Sequence, residues 1–306
     1  MIKIGLTGGE TKTAAELLRL AIHHPDIEIS TIHSPANAGK IVASLHHGFI
    51  GEEKLLFSSN LDATGLDVVF LISPLYTSSD WAKLMADCQD LNLVVFPEAA
   101  HLTESLSTTP TLGLSEMYRK PLVRGERVAI LPSPLESAVL VALYPLAAHL
   151  MLPSAIKIKI SAPSDLLTDD TKSRLSDLIV SRLKSIQSSF DADIDIQYEA
   201  IESDRSMRIV IELPGSTAVD QIMKIYDSIY DDHNFTFMTT RPVGIEEVEG
   251  TQRMVLSFSK PQNDTLRIEG VADARMRGGA GEAIHVMNLM QHLHEKTGLE
   301  QKVNRW

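Results

Sequence analysis

The sequence predicts an α/β protein, a doubly wound parallel sheet joined to an α+β unit whose sheet is mainly antiparallel. Three observations carry this. Apolar strand-like runs alternate with helical periodicity from the first residues to about residue 150. The run DVVFLIS, starting at Asp67, is apolar almost throughout, as parallel strands buried on both faces are. Beyond residue 152 the strands alternate apolar and polar positions, which suits a sheet with one face on a core.

Ile2 to Leu6 is a short apolar strand that runs into Thr7-Gly8-Gly9. A helix from about Thr13 to His23 follows, with Ala14, Leu17, Leu18 and Ala21 at helical spacing. Ile27 to Ile32 and Leu66 to Ile72 are the next strands. Asp80 to Asp90 is helical and contains Cys88, the single cysteine. Leu91 to Phe96 and Arg127 to Leu131 complete the strands of this sheet. A loop from Leu131 to Ser137 leads to an apolar helix, Ala138 to Leu150. The second pattern opens with a strand, Ile156 to Ser161, and an amphipathic helix, Thr171 to Gln187. Strands follow at Asp193 to Ala200 and Met207 to Leu213, then a helix at Ser216 to Tyr230. Met254 to Ser259 and Thr265 to Val271 are strands joined by a turn at Pro261-Gln262-Asn263-Asp264. A closing helix spans about Gly281 to His294. Residues 1–151 with 273–306 are therefore expected to form a Rossmann-like, dinucleotide-binding-type domain. Residues 152–272 are expected to form a substrate or dimerisation domain.

Composition bounds the function. With 306 residues the chain accommodates two domains, and 44% hydrophobic content describes a soluble globular protein. A net charge of −12 argues against nucleic acid but leaves room for a small anionic metabolite in a locally positive pocket. One cysteine forms no internal disulfide. The start, MIKIGLTGG, lacks a signal-peptide layout, and no apolar run reaches the ~18 residues of a membrane helix. The expectation is a cytoplasmic protein without membrane or nucleic-acid partners.

The strand–glycine–helix start can place backbone N–H groups under a pyrophosphate. Gly5, Gly8 and Gly9 begin such a turn; Thr11 and Ala14 stand where further glycines would complete the fingerprint. The turn is either a dinucleotide loop or a plain strand-to-helix connection. Gly278 to Gly281 either approach a ligand or give a tight helix entry. Arg275 and Arg277 are either anion ligands or a solvated pair at a helix start. Cys88 reads as a small packing residue rather than a nucleophile. The pairs His23-His24 and His46-His47 diverge by about 100° on a helix, and His285 and His292 lack an obvious acidic partner, so no metal site is expected. Glu98, Glu116 and Glu136 are the acidic residues expected nearest a cleft.

Several segments together resemble the N-acetyl-gamma-glutamyl-phosphate reductase family, within the aspartate-semialdehyde dehydrogenase superfamily. They are MIKIGLTGG with TAAELLRLAIHHPDIEI, Ala38-Gly39-Lys40 with LHHGFIG, Asp67 to Pro74, and Gly113-Leu114-Ser115-Glu116. Val248-Glu249-Gly250-Thr251 is similar to the family's V-x-G-T. Asp273 with Arg277-Gly278-Gly279-Ala280-Gly281-Glu282-Ala283, Met287-Asn288-Leu289-Met290 and Thr297-Gly298-Leu299 is similar to its DNLVKGAAGQA, MNLM and TGL. The resemblance implies an enzyme that reduces an acyl phosphate with NADPH through a cysteine thioester, with a histidine as acid–base.

That chemistry does not carry over. The family's N-P-G-C-Y-P-T falls on Leu131 to Ser137 and puts its cysteine at Pro134. No histidine lies between His149 and His233, where the family's H-x-P-E-I stands. Its S-R-S, where arginine would meet a 2′-phosphate, becomes Ser34-Pro35-Ala36. In its P-H-G segment, histidine and glycine become Leu75 and Tyr76. The expectation is a catalytically degenerate relative acting as a binding or regulatory protein, with no catalytic residue at position 134. Gly8, Gly9, Thr11, Ser34, Gly278 and Gly281 are the candidate contacts to NADP or NAD. Self-association as a homodimer or homotetramer is expected. The alternative is an NAD(P)-dependent oxidoreductase with altered chemistry, in the extreme the arginine-biosynthetic reductase itself.

Overall fold

Short apolar runs with polar connections build the first sheet. In the computed structural model, which describes residues 1–303 apart from Glu53, Thr108 and Asn263, it has seven strands. They are β1 (Ile2–Leu6), β2 (Ile27–His33), β3 (Phe57–Ser58), β4 (Val68–Leu71), β5 (Asn92–Val95), β6 (Thr111–Leu112) and β7 (Val128–Ile130). Their order is β3-β2-β1-β4-β5-β7-β6, and every pairing is parallel. All four residues of β4 are buried, as a central parallel strand requires. Helix α1 (Lys12–Ala21) follows the glycine turn and turns Leu17, Leu18 and Ala21 inward. Helix α2 (Ser78–Asp87) starts with a capping box between Thr77 and Asp80. Cys88 lies just past the end of α2, not inside it. Helix α3 (Ser115–Val123) gives no helical signal in the sequence because Pro121 interrupts it; the backbone is non-helical at Tyr118.

The second sheet is mixed. Its strands are β8 (Ala155–Ala162), β9 (Asp193–Ala200), β10 (Ser206–Pro214), β11 (Thr236–Thr239), β12 (Met254–Gln262) and β13 (Thr265–Asp273), in the order β11-β12-β13-β10-β8-β9. Three pairings are antiparallel; β11 with β12 and β8 with β9 are parallel. Ile156, Ile158, Ile160 and Ala162 of β8 are buried, so its alternation sets the inner face. Asn263, in the expected turn, lies outside the described residues.

Helix α4 (Pro134–Ala148) begins four residues earlier than the sequence suggested, so Pro134 to Ser137 form its first turn rather than a loop. Proline is favoured there, because the first helical N–H has no intrahelical acceptor. A second proline, Pro145, sits inside the helix. It cannot donate to the carbonyl of Val141. The Tyr230 hydroxyl donates to that carbonyl at 2.7 Å, and the Tyr226 hydroxyl donates to the next one, Ala142. Both tyrosines belong to α6 (Val219–Tyr230), which packs on α4; α5 (Asp169–Lys184) packs on it too.

The chain divides into two compact units, Met1–Ser133 with Gly279–Glu300, and Pro134–Gly278 with the residues from Gln301. The sequence placed the break after residue 151. Helix α4 belongs with the second unit instead, because its apolar surface contacts α5, α6 and β13. Helix α7 (Ala280–Met290) belongs to the first unit, where all eleven of its residues are buried and it packs on α1 and α3.

Candidate cofactor-binding site

Strand order in the first sheet runs outward from β1 through β2 on one side and from β4 through β5 on the other. Open α/β sheets bind ligands outside the carboxyl ends of the strands at such a switch point. Three loops of the first unit end there, after β1, after β2 and after β4.

The loop after β1 is the glycine turn. Gly8 has φ +67°, and a Cβ there would strike the Ser73 hydroxyl. A Cβ on Gly9 would lie 2.7 Å from Ile32 and 3.2 Å from Phe57. Both glycines thus serve close packing within their own unit. The Gly9 N–H donates to the His33 carbonyl at 2.9 Å, and His46 Nε2 donates to the Gly9 carbonyl at 2.7 Å. Thr11 caps α1: its Oγ1 accepts from the Ala14 N–H at 3.1 Å and donates to the Gly8 carbonyl at 2.8 Å. Helix geometry leaves the first-turn N–H groups of Lys12 and Thr13 without intrahelical acceptors, the kind of donors an anion at a helix start would use. Thr7 joins this turn to the loop after β4; its hydroxyl donates to the Ser73 carbonyl and accepts from the N–H groups of Ile72 and Ser73.

The loop after β2 starts at Ser34, which is buried. Its N–H donates to the Ser58 carbonyl of β3. Asn37 Nδ2 donates to Ser34 Oγ at 3.1 Å, and Lys40 Nζ donates to Asn37 Oδ1 at 3.2 Å. This donor chain carries no carboxylate. His33 ends β2; burial lowers its affinity for a proton, opposed by Glu10 of the glycine turn and the backbone at Ser59. The donor set of Lys12, Thr13, Ser34, Asn37 and Lys40 fits the phosphate-bearing end of a nucleotide.

The loop after β4 holds Tyr76 at φ +64°, a left-handed conformation that costs a non-glycine residue roughly 1–2 kcal/mol. Its hydroxyl donates to the Leu61 carbonyl at 3.0 Å. Its ring lies 5.8 Å from that of Trp81, whose Nε1 donates to the Leu75 carbonyl at 2.6 Å. Tyr76 as a whole is nevertheless about half exposed (49%).

Position 134, the expected nucleophile position, is the first residue of α4. A thiol there would sit at a helix N-terminus, where the dipole favours thiolate. Proline supplies neither nucleophile nor N–H. Glu136, two residues on, is buried and pairs with Arg182 Nε at 3.4 Å. Ser137 is fully buried, and its hydroxyl has no hydrogen-bond partner among the described residues. Cys88 lies at the opposite, amino edge of the first sheet, just before β5, with its carbonyl held by Arg127 at 2.5 Å. Glu98 is exposed, and Glu116 is buried beside Ser115.

The other candidate positions make contacts within their own units. Asp273 is buried, and its carboxylate accepts from Arg205 at 2.5 Å, the Gly250 N–H at 2.6 Å and the Arg275 N–H at 2.9 Å. Burial raises its proton affinity; Arg205 and those N–H groups oppose this. Arg275 bonds Asp165 and the Asp204 carbonyl, while Arg277 is wholly buried against the Phe235 carbonyl and Thr236. They are not the solvated pair that sequence suggested. Gly278 has φ +66°, and Gly281 is buried in the first turn of α7. In the first unit Asn288 Nδ2 donates to the carbonyls of Glu295 and Thr297, which leaves its Oδ1 to accept from His24 Nε2 at 3.0 Å. His24 Nδ1 accepts from the Asp26 N–H. These partners fix His24 as the neutral Nε2–H tautomer. Gly298, at φ +71°, packs on the His24 ring. His285 does have acidic partners: Glu295 at 3.1 Å, itself paired with Arg119, and Glu282 at 3.9 Å. No group of three or more His, Cys, Asp or Glu among the described residues is arranged to hold a metal ion. No helix there is long and apolar enough to cross a membrane.

Solved structures share the architecture. Aspartate semialdehyde dehydrogenase II from Vibrio cholerae, complexed with ASA, superposes with a TM-score of 0.68 at 12% identity, covering 95% of this chain and 98% of that one. Aspartate semialdehyde dehydrogenase from Francisella tularensis gives 0.65 at 13% identity, covering 95% of this chain and all of that one. The chain therefore shares the two-sheet α/β fold of these dehydrogenases. No family model matches it. Among curated proteins it is 27% identical to N-acetyl-gamma-glutamyl-phosphate reductase of Phocaeicola vulgatus and 29% identical to that of Parabacteroides distasonis, each over 99% of both chains. The similarity to N-acetyl-gamma-glutamyl-phosphate reductases runs along the full length of the chain.

Proposed function

We propose that this protein is a catalytically degenerate relative of the reductases, retained as a nucleotide-binding or regulatory protein. The observation that carries this is Pro134 as the first residue of α4. The position suited to a stabilised thiolate holds a residue that cannot attack a carbonyl, and Cys88 is committed to the opposite edge of the first sheet. A nicotinamide dinucleotide, NADP or NAD, would supply hydride when bound. On this reading Lys12 and Thr13 N–H groups hold its phosphates, Thr11 shapes the helix start, and Gly8, Gly9 and Ser34 pack the loops that present those donors. Gly278 and Gly281 remain further candidate contacts.

The competing reading, an oxidoreductase of this class, draws on the name its relatives carry along their full length. A steady-state assay with N-acetylglutamyl phosphate and NADPH separates the two. The degenerate protein turns over no substrate. A rate of ~1 s⁻¹ or more, ordinary for an enzyme, would overturn the proposal. The reading also includes a cytoplasmic homodimer or homotetramer; light scattering that returned a 33.7 kDa monomer would remove that part.

A further inference from the structure

We propose that the amino edge of the first sheet carries a binding site for a small carboxylate with an apolar tail, the carboxylate held by Arg127, Gln89 and Ser107. The site lies at the opposite edge from the candidate cofactor loops and does not depend on the nucleotide-binding reading.

Three segments that lead into strands build it. β5, β7 and β6 are neighbours in the sheet and parallel, so the residues that enter them share one edge. Gln89 lies between α2 and β5, Arg127 directly precedes β7, and Leu106 and Ser107 lie on the approach to β6. With the last turns of α2 they line a cavity of about 410 Å³. Small-molecule sites run from roughly 300 to 1,000 Å³.

Arg127 is the centre of the cavity's chemistry. Its Nη2 donates to the carbonyls of Met85 at 2.9 Å and Cys88 at 2.5 Å, and its Nε donates to that of Leu91 at 3.3 Å. Met85 is in the last turn of α2, whose carbonyls have no intrahelical donor, so these bonds cap the helix and fix the guanidinium plane. Capping accounts for Nε and Nη2 and leaves Nη1, which has no hydrogen-bond partner among the described residues. The side chains of Gln89 and Ser107 line the same cavity and also have none among the described residues. The two oxygens of one carboxylate can accept from Nη1, the Gln89 amide and the Ser107 hydroxyl together. Among the described residues no Asp or Glu lines the cavity to compete for the guanidinium.

The remaining wall is apolar. Met85, Ala86 and Leu106 face the cavity, with Met85 Sδ 3.9 Å from Arg127 Nη2. A few convergent donors beside apolar surface suit an amphipathic anion better than a bare one. Asp87 and Asp90 adjoin Gln89 along the chain, so direct contacts rather than the surrounding field must hold the anion.

Methionine-methyl NMR of the full chain is the test, with the Met85 signal assigned from Met85→Leu. The probes are phenylbutyrate, phenylbutylamine and acetate. The expected result is saturable movement of the Met85 signal by phenylbutyrate, half complete at about 1 mM or below, with the amine and acetate at least about tenfold weaker. Gln89→Glu puts a like charge beside the carboxylate, and Ala86→Trp fills the cavity. Each should weaken phenylbutyrate about tenfold while thermal melts stay at the parent's midpoint; Ser107→Ala repeats the test should either variant melt lower. An equal response to the amine would overturn the carboxylate assignment, and an equal response to acetate would overturn the apolar tail. A Met85 signal unmoved at about 10 mM phenylbutyrate, or moved alike in the parent and the folded variants, would overturn the site. Each of these outcomes leaves the reading of the carboxyl edge as it stands.

Discussion

The carboxyl edge of the first sheet and the buried polar hubs of the two units stand in contrast. At the hubs, the motif residues shared with the reductases are present and fully engaged. Asp273 joins Gly250, Arg205 and Arg275, and Asn288 joins His24 to the C-terminal turn. At the sheet edge and at the start of α4 stand the departures from the family's motifs, at Pro134, Tyr76 and Pro35. The difference teaches that a motif match can record what holds a fold together. Buried carboxylates and amides with several backbone partners are expensive to alter whether or not a reaction survives. A nucleophile position at a helix start has no such constraint, and proline suits it structurally.

The largest effect should come from breaking a hub. Asp273→Ala leaves the Gly250 and Arg275 N–H groups without their acceptor and should cost about 3 kcal/mol, read as a lower urea midpoint at unchanged slope. The figure sits at the low end for a buried pair because Arg205 is 28% exposed and can be hydrated. Next is the Pro145 gap in α4. Tyr230→Phe removes the donor to the Val141 carbonyl and should cost about 2 kcal/mol. Adding Pro145→Ala restores a backbone donor, so the two substitutions should be clearly non-additive in a double-mutant cycle. Additive costs would mean the tyrosine does not fill the proline's gap.

A smaller effect is the pH response of the Asn288 hub. Burial lowers the proton affinity of His24 in the folded state, against weaker opposing contributions from Asn288 and Asp26. The unfolded chain then binds the proton more readily, so stability is full above about pH 6.5 and declines as pH falls through that value. His33 acts in the same direction. Urea unfolding at several pH values should show a shallower decline below pH 6.5 in His24→Gln than in the parent. Smallest is the stability cost of Pro134→Cys, expected under 1 kcal/mol. Its thiol should nonetheless titrate below the ordinary ~8.5 in an iodoacetamide rate profile. A thiol at 134 titrating above 8.5 would contradict the helix-start assignment.

Much of the fold was legible. The alternation of strand and helix, the buried apolar run at β4 and the period-two pattern of β8 each follow from burial, which dominates residue choice there. What was not legible has physical reasons. β3 and β6 are two residues long and carry no period. α3 is interrupted by Pro121, and α4 absorbs its N-terminal prolines as a first turn. At the site, Pro134 and the missing arginine were readable in the sequence as departures from the family's motifs. The roles of Arg277 and His285 were not, because their partners Thr236 and Glu295 are distant from them along the chain or lie past a helix end. The positive φ of Tyr76 is likewise a property of the backbone; a tyrosine standing at the family's glycine position was its one sequence signal.

The central claim is that this chain forms no thioester. Intact-protein mass spectrometry after incubation with N-acetylglutamyl phosphate tests it directly, with and without NADPH. The account predicts an unchanged mass. An acyl adduct that maps to Cys88 and disappears on adding NADPH would contradict it.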